Sequence, residues 1–173
     1  MSRDKLSKII EEAIEEVKMK GIKIVYGDRA LADLESRTIM LPREKPSPLQ
    51  YYRIRHELYH FQVFPKDRDT YRKLLAECFV ETGAEFWEER YEVKRLFQIV
   101  ANAIVNYYAF KNDPHPEIYK KGHDISIKMQ KSIDPYAIEM YKEALSMIEK
   151  GEKDVVKIVK HLFCKSHPYY CIE

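Results

Sequence analysis

Glycine and proline are scarce in this chain, five and eight among 173 residues. That scarcity excludes a collagen-like or low-complexity chain and argues against a turn-rich all-β fold. Three cysteines do not make the disulfide framework of a small secreted domain. No segment approaches the roughly 20 consecutive apolar residues of a membrane span. Met1 to Lys5 lead into a charged amphipathic segment rather than the apolar core of a signal peptide. Neither sign of charge prevails: 30 Lys and Arg against 28 Asp and Glu leave a net charge of +2, with the two signs interleaved. The basic stripe of a nucleic-acid binder is therefore missing. These absences point to a cytoplasmic chain that engages neither a membrane nor nucleic acid. Asn and Gln are also few beside Glu, Lys, Ile and Tyr. Proteins of heat-loving organisms share that balance, and in them intracellular disulfides are less unusual.

What is present builds an α+β fold. Hydrophobic residues make up 45% of the chain, enough for a core in one domain or in one domain with an extension. Leu6, Ile9, Ile10, Ala13, Ile14 and Val17 recur at helical spacing, which predicts a helix over 4–20 stopped at Gly21. Residues 22–41 alternate in three short runs, Ile22–Tyr26, Ala30–Leu34 and Thr38–Leu41, and predict a three-stranded antiparallel meander. Ser47-Pro48 starts a helix of about 48–64, with serine as cap and proline in the first turn. After a polar break at Pro65–Asp69, where Asp67 or Asp69 offers a cap, helical pattern runs on to Asp113-Pro114, with a possible kink at Gly83. Two or three further helices are expected over 117–163, and an irregular tail over Cys164–Cys171.

His56-Glu57-Leu58-Tyr59-His60 carries the chemistry. This is H-E-x-x-H on a predicted helix, where residues four apart share a face, so both imidazoles can reach one zinc ion. Glu57 can reach a water on that metal. A catalytic zinc needs a third protein ligand. Glu77, Glu81 and Glu85 lie at steps of four on the next helix, and periodicity leaves open which of them faces inward. Gly83 and Ala84 would let the helices approach closely near Glu81, which favours it. Glu85 could then take a hydrogen bond from a ligand histidine. If Glu77 binds instead, Glu81 takes that supporting role. The chain has only six histidines, so chance placement of two around a glutamate at this spacing is a demanding coincidence.

His-Glu-Leu-Tyr-His at 56–60 followed by Glu-Thr-Gly-Ala-Glu at 81–85 resembles the gluzincin group of zinc metallopeptidases. The short chain is similar to the single-domain minigluzincins and to the domain found in phage-repressor-cleaving regulators. The likeness covers about residues 22–90, and residues 91–173 carry no matching motif. It implies a zincin-like small antiparallel sheet with an active-site helix and a glutamate helix within residues 1–112. A helical C-terminal extension, 113–173, would pack on this domain or merge with it. It further implies His56, His60 and Glu81 as zinc ligands, Glu57 as general base and acid, and a peptide or protein substrate. An edge strand such as Thr38–Leu41 would pair with that substrate. Tyr91, Tyr107, Tyr108, His115 and His123 all stand as candidate oxyanion donors. The alternative is a non-catalytic protein that keeps the zinc site for structure or regulation. Cys164, His167 and Cys171 read equally as a second metal site, a disulfide, a segment folded over the zinc, or an ordinary tail.

Overall fold

Five helices begin on a side-chain cap: Ser2, Ser47, Asp67, Asp134 and Asp154 each accept a backbone N–H of the turn that follows. Each cap satisfies donors that the helix leaves without an internal partner. A computed structural model describes residues 1–171. The chain runs α1 (Arg3–Met19), β1 (Lys23–Gly27), β2 (Leu31–Asp33), β3 (Thr38–Pro42), α2 (Pro48–Gln62), α3 (Arg68–Thr82), α4 (Trp87–Asn112), α5 (Pro116–Ile133), α6 (Pro135–Glu149) and α7 (Val155–Ser166), then a closing 3-10 turn at Pro168–Cys171. This is an α+β fold dominated by helix. No helix among the described residues is long and apolar enough to cross a membrane.

The sheet is mixed, which corrects the antiparallel meander. Its order is β1-β3-β2, with β1 parallel to β3 and β2 antiparallel to it. Burial explains the order. The most apolar strand, with Ile39 and Leu41 buried, takes the centre, and the more exposed β1 and β2 take the edges. Residues 28–30 cross the end of β3 to link the two edges. Two strand spacings are about 9.6 Å, within reach of so short an extended link. Thr38–Leu41 is therefore central, and the edge strand nearest α2 is β2.

Gly83 ends a helix instead of kinking one. It adopts φ 71° at the C-cap of α3, where its N–H bonds back to Phe79 and Val80. A left-handed residue there closes the helix, and glycine takes that conformation without steric cost. The chain then restarts as α4, so a second helix, and not a continuation of α3, packs on α2.

Two hydrophobic cores share α4. One joins α1, the sheet and α2 with Val105 and Ala109 of α4 and Tyr119 of α5. The other joins α3, α4, α6 and α7 around Phe97 and Phe163. Residues beyond 112 thus take part in both cores, as far as Phe163. Packing of α5 on α2 is closest at Gly122, where an added Cβ would lie 2.2 Å from the Pro48 carbonyl oxygen and 2.5 Å from Tyr52 Cβ. Backbone cannot yield as a side-chain end can. Gly122→Ala should therefore cost about 1–3 kcal/mol or more, read as a lower denaturant midpoint at unchanged slope. A wild-type midpoint would show that α5 slides freely on α2.

At the C-terminus Cys164 and Cys171 form a disulfide across a Cα separation of 5.7 Å, and His167 stacks on Phe163. Of the readings open for that tail, the disulfide is the one formed.

Candidate metal centre

α2 presents two polar ladders at steps of four. Tyr51, Arg55 and Tyr59 face Asp113, at the junction of α4 and α5. Tyr51 and Tyr59 each donate a hydroxyl to its carboxylate at 2.5 Å, and Arg55 Nε donates at 2.8 Å. Tyr52, His56 and His60 form the next ladder. Anchoring the first ladder fixes the rotation of the helix and aims the second at α4.

His60 Nδ1 lies 2.9 Å from the Phe64 carbonyl oxygen, which can only accept, so that nitrogen carries the proton. His56 Nδ1 donates to Asn106 Oδ1 at 2.9 Å. Both Nε2 atoms are left with a lone pair. They lie 3.2 Å apart, and Asn102 Oδ1 sits 3.0 Å from that of His56 and 3.1 Å from that of His60. Three lone-pair atoms thus form a near-equilateral triangle with no proton among them. Ligands about 2.0 Å from a tetrahedral metal ion stand about 3.3 Å apart, so the triangle matches one face of such a shell. Burial, reinforced by the proximity of His60, pushes the His56 imidazole down to about 3, which keeps it in the neutral form a metal requires. Burial likewise lowers the pKa of His60.

His56, Glu57 and His60 can bring one ligand atom each within 4.8 Å of one another, a group that could hold a metal ion. Burial alone pushes the Glu57 carboxyl up to about 8, and no hydrogen bond to it is found among the described residues. Two cavities meet at the centre. One, of about 280 Å³, is lined by Glu57, His60 and Asn102 together with Leu31 and Ala32 of edge strand β2. The other, of about 400 Å³, is lined by His56, Glu57, Asn102, Asn106 and Tyr141.

Glu81 does not join this centre. It faces α7, where its half-exposed carboxylate lies 3.9 Å from Lys160 Nζ, and Glu77 lines the same groove beside Asp154. Glu85 falls in the link between α3 and α4, where its N–H donates to Glu89. Glu77 and Glu81 mark a solvated face of α3. None of the five candidate oxyanion donors lines either cavity. Tyr91 is exposed, Tyr107 accepts from Lys111, Tyr108 packs on Tyr59, His115 packs on Tyr51, and His123 bonds Tyr141. The residues that sequence reasoning missed, Asn102 and Asn106, did carry a signal. They are two amides four apart in the otherwise apolar run Ile99–Val105 and its end, where an unpaired polar group is costly.

No protein-family model, curated protein or solved structure matches this chain.

Proposed function

We propose that this chain is a zinc-dependent hydrolase of peptide bonds, in which His56, His60 and Asn102 hold the metal and Glu57 moves the proton. The observation that carries this reading is the proton-free triangle of His56 Nε2, His60 Nε2 and Asn102 Oδ1 beside a carboxylate that lines both cavities. Zinc bound there would act as a Lewis acid and lower the pKa of a water to about 7. Glu57 would take a proton from the attacking water and deliver it to the leaving nitrogen. The edge of β2 beside Glu57 and His60, unpaired among the described residues, suits an extended peptide, which would add to the sheet as a further strand. The amide Asn102 stands where the resemblance implies a glutamate. Its neutrality leaves more of the metal charge for polarising a carbonyl.

Purified after metal-replete expression, the chain should carry about one zinc. Chelation should stop cleavage of a mixed peptide library, and added zinc should restore it. Less than about half a zinc per chain, or cleavage indifferent to chelation, would remove this reading. Asn102→Ala should weaken zinc in a chelator competition by about tenfold or more, and Asn102→Asp should tighten it. Unchanged affinity in the alanine variant would take Asn102 out of the ligand set.

A further inference from the structure

We infer that Asn106, Tyr141 and His123 are positioning residues, which set the tautomer and orientation of His56 toward the metal through a one-directional chain of hydrogen bonds across four helices. The inference rests on the metal-centre reading above. The chain begins at His56 of α2, whose Nδ1–H donates to Asn106 Oδ1 of α4 at 2.9 Å. Asn106 Nδ2–H donates to the Tyr141 hydroxyl oxygen of α6 at 2.9 Å. The Tyr141 hydroxyl donates to His123 Nε2 of α5 at 2.7 Å. His123 Nδ1–H ends on Asp124 Oδ1 at 2.9 Å, and the same oxygen accepts from Lys120.

Every proton in this chain points away from the metal triangle. The terminus is a carboxylate, which can only accept, and that fixes the direction of each link behind it. Asp124 forces Nδ1–H on His123, so Nε2 must accept. Tyr141 then offers Asn106 a lone pair, and Asn106 turns its amide so that the oxygen faces His56. The Tyr119 hydroxyl donates to the same Asn106 oxygen at 2.6 Å and holds the amide in that sense. Run in reverse, the chain would set a proton on His56 Nε2, the atom that must offer a lone pair. Asn106, His123 and Tyr141 are all buried, at 1%, 5% and 6% exposure, whereas the Asp124 side chain lies at the surface. Partners of metal-bound histidines act in this way, by fixing the ring and its tautomer. Tyr141 and His123 would be two steps and three steps removed from the metal ligand.

The test is zinc affinity by chelator competition in Asn106→Leu, Asn106→Asp and Tyr141→Phe, with unfolding followed in parallel. Asn106→Leu keeps the volume but removes the acceptor, and should weaken zinc about 10–100-fold. Asn106→Asp keeps an oxygen toward His56 Nδ1 and should restore most of that loss. Tyr141→Phe removes one oxygen two links from His56 and should weaken zinc several-fold. Nitrogen–proton correlation spectra of the metal-free wild type should show His56 and His123 both protonated at Nδ1. Failure of the wild type to bind zinc would sink the metal-centre reading, while the spectra would still report on the chain. With wild type binding, unchanged affinity in Tyr141→Phe, an aspartate variant as weak as leucine, or a proton on His56 Nε2 would each overturn the inference. Tyr141→Phe decides even if Asn106→Leu does not fold.

Discussion

Glu57→Gln is expected to lower peptide hydrolysis by about 10²–10⁴-fold while the chain still binds about one zinc. Glutamine keeps the size of the side chain and its place between the two cavities, but it has no carboxylate to take a proton. The structure isolates that loss well. Burial is the only cause that moves the Glu57 carboxyl, so the substitution breaks no hydrogen bond found among the described residues. Cleavage at the wild-type rate would show that Glu57 is not the base. Loss of zinc together with activity would show instead that Glu57 is a ligand, since its carboxylate lies within the same group as His56 and His60.

The same substitution has a second, opposite effect on the metal-free chain. The Glu57 carboxyl titrates near 8 in the folded state against an ordinary value of 4.5, so the folded state holds the extra proton between them. Its contribution to stability is present below 4.5 and is lost as the pH rises through about 8. His56 has the other sign, with about 3 in the folded state against 6.5. Its neutral ring costs nothing above 6.5, and stability drains away as the pH falls toward 3. The metal-free chain should therefore be most stable between these limbs, and Glu57→Gln should flatten the alkaline one. Urea midpoints measured across the pH range would show this. An alkaline limb of equal slope in both proteins would mean that another group causes it. A buried carboxylate that costs stability and has no partner among the described residues is the expected signature of a group kept for reactivity.

The parts of this centre that were legible in the sequence are those set by local rules. Ser47-Pro48 starts α2 as its cap chemistry requires, and residues four apart on that helix converge as its geometry requires. The third donor was not local. Its position depended on whether Gly83 bends a helix or ends it. A left-handed glycine ends α3, the glutamate stripe turns toward α7 and Lys160, and α4 brings Asn102 behind α2. The sheet failed for a similar reason. Alternation marked the three strands, but which of them takes the centre depends on what the sheet packs against. The ladder of Tyr51, Arg55 and Tyr59 was not legible in the sequence, because its partner Asp113 lies more than fifty residues away.

Asp113→Ala should cost about 3–5 kcal/mol of stability, the largest expected from a single substitution here. Asp113 accepts from the Tyr51 and Tyr59 hydroxyls, from Arg55 Nε and, at 2.9 Å, from the backbone N–H of His115. Its removal leaves Arg55, only 5% exposed, with Glu16 as its remaining carboxylate partner, and strips two buried hydroxyls of their acceptor. Burial, then the bond to Asp113, raises the pKa of both Tyr51 and Tyr59, so these hydroxyls stay protonated and need that acceptor. Tyr51→Phe removes one of the four bonds and should cost only about 1 kcal/mol. The two costs separate a shared clamp from a set of independent contacts, because the loss of a common acceptor exceeds the loss of any one donor. Equilibrium urea unfolding measures both. A cost below about 1 kcal/mol for Asp113→Ala would show an ion pair that solvent replaces. The clamp also has a functional reading. It fixes the rotation of α2, so Asp113→Ala should weaken zinc even in the fraction that stays folded, although Asp113 contacts the ladder next to the one that carries His56 and His60.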